Sequence, residues 1–270
     1  MLENYKRLKK KFNSKNELVE YITDISPRYK SDKNEGTIKG GLEELDLILE
    51  KINVEEYSKT RNFIHGKVSK LSPFISRGMI NEDQIIYKIR EKTKNFLSCE
   101  KFIQQVCWRL FWSQVVDNNP SYIWSNVYSY KTGWKDNDYS NEMPDDILNA
   151  NTKSEFINQV IKDLYRSGYI HNHLRLYLSS YIVHWRRIKW QVGAKWFLEN
   201  LIDFDIASNN LSWQWVASTF SNKPYIFNLE NIRKYCSEKY DIYDENNEEL
   251  NHSYEDLKKI LFPNKVQDTE

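Results

Sequence analysis

The chain has 270 residues, with 39 Lys or Arg and 38 Asp or Glu, so its formal net charge is only +1. This balance excludes a globally basic nucleic-acid-binding protein, and any contact with DNA would need a local basic patch. The length suits one large domain or two modest domains with a sizeable core. Because no run reaches 18 apolar residues and no signal peptide begins the chain, we expect a cytoplasmic protein without a membrane partner.

Residues 1–35 are polar and charged, with a short amphipathic stretch around residues 8–21. We predict that they form an N-terminal extension. Apolar residues at helical spacing then begin at Leu42, and no repeat or linker interrupts the remainder. We therefore predict one helical domain over residues 36–270.

Cap patterns and apolar periodicity predict an all-α fold for this domain. The segment 102–116 has a strong helical pattern, whereas residues 118–151 are irregular and rich in Pro, Gly, Asn and Asp. Three pairs with capping spacing place further helix starts: Asn81 with Gln84, Thr152 with Glu155, and Ser253 with Asp256.

Metal binding and several common catalytic arrangements are not predicted. The cysteines Cys99, Cys107 and Cys236 lack metal-site spacing. His171 and His173 are two residues apart, so on a helix they point to different faces and make poor joint ligands. The sequence also lacks the HExxH, nucleophile-elbow and dinucleotide GxGxxG patterns.

The stretch 168–215 is apolar enough to be core, yet it contains polar groups that cores disfavour, including Arg175 and Asp203. Buried Arg and Asp are rare unless they are paired. The simplest interpretation is one structural salt bridge together with helix caps. A second interpretation follows from the exact runs in this stretch.

The runs G-Y-I-H-N-H-L-R-L (168–176), L-I-D-F-D-I-A-S-N-N (201–210) and W-Q-W (213–215) resemble three blocks of the photolyase/cryptochrome family. They occur in the family's order and with its spacing, and the resemblance covers roughly residues 38–225. It implies a single helical FAD-binding domain. The α/β antenna domain of full-length members has no counterpart in these residues, so we expect no antenna pigment.

The resemblance also implies a set of FAD-binding residues. Ser69 and Ser72 match the hydroxyls that hold the pyrophosphate, in a block where Val68 replaces the usual Thr. Arg175, held by Asp203, would supply positive charge beside the reduced ring. The implied set is Tyr57, Ser69, Leu71, Ser72, Arg109, Asn172, Arg175, Asp203, Asp205 and Asn209.

Three residues are implied to take part in the chemistry itself, namely Asn209, Trp190 and Trp213. Asn209 would face the flavin N5, while Asp205 would accept a hydrogen bond from a ring N–H. Trp213 and Trp190 match the inner two members of the family's tryptophan relay. The outer member is missing, because Asn137 occupies the aligned position and Trp134 lies three residues away. We therefore expect photoreduction that is slower or that depends on Trp134.

The resemblance further implies contacts with damaged DNA. Gln105, Trp108, Asn172 and Trp215 match residues that contact the lesion, and Gln105 has the amide form found in enzymes for six-four photoproducts. We assign the phosphate contacts to a local patch of Lys67, Lys70, His173, Arg186 and Arg187. Damaged DNA is thus the expected partner, bound weakly.

Three functions remain open from the sequence. The first is light-driven repair of pyrimidine lesions by electron transfer from reduced FAD. The second is a cryptochrome-like flavin photoreceptor, and the third is a repurposed flavoprotein without repair activity. His173 in place of the usual Arg and Leu176 in place of Met favour the latter two.

Overall fold

Regular structure is helical throughout the residues that the computed structural model describes, which are 8–25, 38–93, 96–237, 239–240 and 242–264. Outside the helices, these residues contain only an isolated parallel bridge between Ser140 and Ile188. The predicted all-α fold is confirmed. No helix in the described segments is long and apolar enough to cross a membrane.

The helices follow one another along the chain in the order α1 to α13. Their bounds are α1 Lys15–Ile25, α2 Leu42–Lys51, α3 Val54–Thr60, α4 Ser72–Ile75, α5 Glu82–Lys92, α6 Phe96–Asn118, α7 Asp145–Leu148, α8 Glu155–Ser167, α9 Asn172–Ser180, α10 Trp190–Asn200, α11 Ile206–Ala217, α12 Leu229–Cys236 and α13 Tyr254–Leu261. Short 3₁₀ helices occupy Pro120–Ile123, Asp136–Asp138 and Glu248–Leu250, and a π-helix spans Tyr181–Trp185.

The chain divides into two compact units, Met1–Glu35 and Gly36–Glu270. The predicted boundary between residues 35 and 36 lies outside the described residues. Within the first unit, α1 buries none of its residues, and Leu18, Val19 and Ile22 remain substantially exposed. All of the predicted site residues belong to the second unit.

Side-chain caps set several helix starts in the second unit. Asn81 and Gln84 form the predicted capping box at α5, and Ser253 caps α13 as predicted. The predicted cap of α8 is wrong by two residues. Ser154 is the N-cap, whereas the Thr152 hydroxyl donates to Asn158 Oδ1 at 2.8 Å, because a side chain already inside the next helix competes for it.

Two apolar clusters make up most of the core of the second unit. The larger one combines α8 to α12 with the π-helix, and the smaller one combines α2 to α6. Helix α6 also packs against α11 through Trp112, Ala207 and Leu211. This contact places the two halves of the predicted cofactor site beside each other.

The π-helix contains a buried histidine whose ionisation is suppressed. His184 Nε2 donates to the Val216 carbonyl at 3.0 Å, while Nδ1 is buried and has no hydrogen-bond partner among the described residues. Burial lowers the pKa of His184 from 6.5 to about 4, and the backbone hydrogen bond offsets this only in part. The neutral ring is therefore the native form across the physiological range.

Protonation of the unfolded chain at His184 should make the fold pH-dependent. Between pH 6.5 and 4 the unfolded histidine binds a proton that the native one does not, so the free energy of unfolding falls as the pH falls. In urea titrations we expect His184→Gln to reduce this pH slope by about 1.4 kcal/mol per pH unit. An unchanged slope would show that His184 ionises normally in the native protein.

Candidate cofactor site

A buried ion pair joins the two most informative sequence blocks. Arg175 Nη2 lies 2.9 Å from Asp203 Oδ2, and the Asp203 side chain is only 1 % exposed. Arg175 Nε also donates to the carbonyl of Ile170 at 3.0 Å. Arg175 lies on α9 and Asp203 in the turn after α10, so the pair ties these two helices together. The expected pairing is thus present.

The first residue of α4 reaches the same ion pair. The Ser72 hydroxyl donates to Asp203 Oδ2 at 2.5 Å, although the two residues are far apart in the chain. Leu71 is buried beside it, while Ser69 is partly exposed. Lys70, between them, has a positive φ of 54°. The structure therefore places the segment predicted to hold the pyrophosphate against the Arg175–Asp203 pair, which is predicted to lie beside the flavin ring.

Tyr169 is a site residue that the sequence analysis missed. Its ring centroid lies 5.3 Å from Arg175 Cζ, a cation–π distance. Burial raises the pKa of Tyr169 to about 12, although the Arg175 charge opposes this shift, so the phenol stays protonated. Tyr57, whose ring packs on Phe102 at 5.0 Å, lies close enough to interact electrostatically with Tyr169. The signal available in the sequence was the position of Tyr169 inside the run 168–176, which also contains Arg175.

Arg109 and Asp205 form a second polar centre. Arg109 contacts Glu82 at 3.2 Å and Asp205 Oδ2 at 3.1 Å. The other Asp205 oxygen caps α11 by accepting from the Ser208 N–H at 2.8 Å. Both carboxylate oxygens thus have protein partners, and Arg109 links α5, α6 and the start of α11.

Small residues on α10 allow α11 to approach closely. A Cβ added to Gly193 would lie 2.2 Å from the edge of the Trp213 ring. The amide nitrogen of Asn209 donates to the Ala194 carbonyl at 3.0 Å and to Asn210 Oδ1 at 2.9 Å. In this orientation, the atom of the Asn209 amide left for a ligand is its oxygen, which is an acceptor.

Three buried polar atoms in the blocks that carry the family resemblance lack a hydrogen-bond partner in the segments that the structure describes. Asp203 Oδ1, Ser208 Oγ and Trp213 Nε1 are buried, and none has a hydrogen-bond partner among the described residues. Buried polar atoms without partners are rare in native structures and cost free energy. A ligand with donors and acceptors on its edge would satisfy them, so these residues fit a flavin.

The start of α9 holds two histidines in neutral form. His171 caps α9 by accepting from the His173 N–H, and burial lowers the pKa of His171 to about 4. His173 packs against Tyr177 and Tyr235, and burial lowers its pKa also. A neutral His173 would add no positive charge to the predicted basic patch. Asn172, the first residue of α9, is exposed.

The other predicted phosphate contacts differ in availability. Arg186 forms two hydrogen bonds with the Asp146 carboxylate, at 2.8 and 3.0 Å, so its guanidinium is already paired. Lys67, Lys70 and Arg187 are exposed. Fewer basic side chains are thus available for phosphate contacts than the sequence predicts.

The predicted lesion contacts lie at the surface. Trp108 on α6 is 43 % exposed and Trp215 on α11 is 39 % exposed. Gln105 lies one turn before Trp108, and its Oε1 accepts from Arg61 Nη1 at 3.3 Å. Trp108 also stacks on Trp112, with ring centroids 5.3 Å apart. Exposed tryptophans supported from below are suited to stacking on a flat partner.

The predicted relay residues Trp190 and Trp213 are both buried in the core. Trp190 Nε1 donates to Asn126 Oδ1 at 2.6 Å. Trp134 is engaged elsewhere, because its Nε1 donates to the Leu261 carbonyl at 2.8 Å and the Arg187 guanidinium lies 4.6 Å from its ring. Asn137, at the position aligned with the outer relay member, is exposed.

Metal binding has no structural support in the described part of the chain. No group of three or more His, Cys, Asp or Glu there could hold a metal ion. The polar cluster of Ser72, Tyr169, Arg175 and Asp203 instead offers one cation, one carboxylate and two hydroxyls. Such a mixed set suits an organic ligand that carries both ring heteroatoms and phosphates.

Comparisons with known proteins agree with this chemistry. Residues 102–246, more than half of the chain, match the family model for the FAD binding domain of DNA photolyase. The deoxyribodipyrimidine photo-lyase of Streptomyces griseus is 31% identical over 152 residues, covering 56% of this chain and 32% of that protein. The Halobacterium salinarum enzyme is 27% identical over 197 residues, covering 68% and 40%. The chain thus spans about a third to two fifths of these curated relatives.

Solved structures share the fold. A cryptochrome from Synechocystis has a TM-score of 0.65 at 21% identity, covering 79% of this chain and 47% of that one. An archaeal photolyase from Sulfolobus tokodaii has a TM-score of 0.63 at 23% identity, covering 92% and 54%. A class III photolyase from Agrobacterium tumefaciens has a TM-score of 0.59 at 22% identity, covering 82% and 44%.

The matched segment contains most of the site described above. It includes the Arg175–Asp203 pair, the Arg109–Asp205 contact and the close approach of α10 and α11. Of the ten predicted FAD-binding residues, only Tyr57, Ser69, Leu71 and Ser72 precede it. The chain belongs to the family of the FAD binding domain of DNA photolyase, and its cofactor is FAD.

Proposed function

We propose that this chain repairs pyrimidine lesions in DNA in a light-driven reaction that uses its bound FAD. The observation that supports this most directly is the exposure of Trp108 and Trp215 on helices that also carry cofactor-site residues. Arg109 follows Trp108 on α6, and Asn209 precedes Trp215 on α11 by two turns. A base stacked on either tryptophan would lie beside the cofactor site.

Ten residues are proposed to hold the cofactor: Tyr57, Ser69, Leu71, Ser72, Arg109, Asn172, Arg175, Asp203, Asp205 and Asn209. Bound FAD supplies the light absorption and the electron that the lesion receives. Through its ion pair, Asp203 holds the guanidinium cation of Arg175 in place. That positive charge favours an anionic ring beside it.

The proposed lesion contacts account for how a base would enter the site. Extruding a base costs a few kcal/mol, and less when the base is already damaged. Stacking on a tryptophan contributes about 1–3 kcal/mol per base, which offsets most of that cost. Trp108 and Trp215 would provide the stacking, while Gln105 and Asn172 would hydrogen-bond the polar edge of the lesion.

A flavin photoreceptor that does not repair DNA is the second candidate. It is favoured by the state of the basic patch, in which His173 is packed as a neutral ring and Arg186 is paired with Asp146. Only Lys67, Lys70 and Arg187 of the five predicted phosphate contacts then remain. Binding of damaged DNA distinguishes the two candidates.

The Arg175–Asp203 pair should be needed for both stability and cofactor retention. Asp203→Ala leaves a largely buried guanidinium without its carboxylate, which should cost about 3 kcal/mol in the free energy of unfolding. We also expect the variant to lose most of its bound FAD, as measured by visible absorbance after gel filtration.

Asp146→Ala is the matched control, because it removes the more exposed carboxylate of the Arg186 pair. Its cost should stay within about 1 kcal/mol, with FAD retained. Equal effects of the two substitutions would contradict the assignment of Asp203 to the cofactor site.

Illumination of the chemically reduced, FAD-bound protein should remove pyrimidine lesions from ultraviolet-damaged DNA. Trp215→Ala should weaken binding of damaged DNA by about 1–3 kcal/mol. Tyr87→Ala is the control, since Tyr87 is also exposed but lies on α5. Persistence of both cyclobutane dimers and six-four photoproducts, with equal binding of damaged and intact DNA, would exclude repair and leave the photoreceptor.

Salt should weaken DNA binding only moderately. With about three phosphate contacts on double-stranded DNA, the slope of log K against log salt concentration should be near −3. Fluorescence anisotropy titrations over a range of salt concentrations measure it. A slope twice as steep would show that basic residues outside Lys67, Lys70 and Arg187 contact the DNA.

A further inference from the structure

Trp190 has an aromatic neighbour that the sequence did not reveal. The rings of Trp124 and Trp190 are nearly parallel, with an interplanar angle of 5° and a centroid separation of 6.4 Å. Trp190 is fully buried, whereas Trp124, just after the 3₁₀ helix Pro120–Ile123, is 43 % exposed. The pair therefore connects the core of the protein to solvent.

The other side of Trp190 leads to the cofactor site. Gly193 lies one turn after Trp190 on α10, and its missing side chain admits the edge of the Trp213 ring. Residues three apart on a helix are neighbours on its surface. Trp213 lies on α11 with Asn209, four residues away. Trp124 thus stacks on Trp190 at the surface end, and the α10 face that carries Trp190 and Gly193 meets Trp213 on the helix that carries Asn209.

We infer that Trp124 is the solvent-facing end of this chain of rings and passes electrons inward, an assignment that rests on the light-driven function proposed above. On illumination, Trp213 would give one electron to the bound cofactor, Trp190 would give one to Trp213, and Trp124 would give one to Trp190. Only Trp124 then remains oxidised. Its Nε1 proton passes to water, and an external small-molecule thiol returns one electron and one proton, leaving a thiyl radical that pairs to a disulfide.

Hydrogen bonding explains why the oxidised state would not stop at Trp190. Its Nε1–H donates to Asn126 Oδ1, and an amide oxygen is not a base at neutral pH. The proton therefore stays on the ring, and an oxidised Trp190 keeps its positive charge. A positive charge is costly in the buried core and far less so on a water-exposed ring. The charge difference between the two sites favours transfer to Trp124.

Trp134 is the alternative electron donor to Trp190, and its surroundings disfavour its oxidation. The Arg187 guanidinium lies 4.6 Å from the Trp134 ring centroid, so an oxidised Trp134 would face a fixed positive charge. Coulomb repulsion at such a separation opposes its oxidation. Its Nε1–H is also donated to the carbonyl of Leu261, which cannot take up the proton.

The test compares Trp124→Phe with Trp134→Phe in the oxidised, FAD-loaded protein, illuminated with excess dithiothreitol. Phenylalanine keeps an aromatic ring in place but is not oxidised. Photoreduction should slow about tenfold in Trp124→Phe and stay at the wild-type rate in Trp134→Phe. Flash spectroscopy should show a long-lived deprotonated tryptophanyl radical in the wild type that is absent from Trp124→Phe.

An apoprotein measurement checks the geometry without the cofactor. Iodide should quench less of the tryptophan fluorescence in Trp124→Phe than in the wild type, because an exposed indole has been removed. Equal quenching would overturn the assignment of Trp124 as solvent-facing. A wild-type photoreduction rate in Trp124→Phe would show that Trp124 is not the solvent-facing donor. Slow photoreduction in Trp134→Phe would assign that role to Trp134.

Failure of this inference can be separated from failure of the proposed function. Chemically reduced protein needs no relay, so reduced Trp124→Phe should repair lesions as well as the wild type does. If reduced wild type fails to repair, the lyase proposal falls, whatever the two photoreduction rates show. If reduced wild type repairs and Trp124→Phe photoreduces normally, only the assignment of Trp124 falls.

Discussion

The buried carboxylate of Asp203 is the contact on which the candidate site depends. It accepts from Arg175 on α9 and from Ser72 at the start of α4, while its own backbone lies in the turn after α10. Burying such a charge is tolerable only when it is paired and hydrogen-bonded. The requirement fixes three distant segments at one point. Within the described part of the chain, its other oxygen has no hydrogen-bond partner, which leaves a position for a ligand to complete.

The tryptophans are arranged by burial, and burial separates their proposed roles. Trp190 and Trp213 lie in the core, and the Trp213 ring packs against Gly193 of α10. Trp108 and Trp215 remain partly exposed on α6 and α11, where a base could reach them. Trp124 combines both situations, since its ring faces the buried Trp190 on one side and solvent on the other.

Local patterns predicted much of the fold because they involve few residues. The capping box of Asn81 and Gln84 and the cap at Ser253 depend only on residues three apart, and both are present. The α8 cap was misplaced because Asn158 engages the Thr152 hydroxyl, while Ser154 caps the helix instead. Tyr169 was missed for a similar reason, since its relation to Arg175 and Tyr57 exists only after folding.

By itself, the sequence determined the helical class and the family, because these are carried by periodicity and by contiguous runs, and the same runs supplied the candidate residues of the cofactor site. Only the tertiary structure decided which polar groups are paired. The sequence predicts that His173 and Arg186 both contribute positive charge. In the structure, burial favours the neutral form of His173, and Arg186 is hydrogen-bonded to Asp146. Likewise, nothing in the spacing of Trp124 and Trp190 indicates that their rings are parallel. Charge state and ring contact depend on neighbours from distant segments, and these neighbours are set only when the chain is packed.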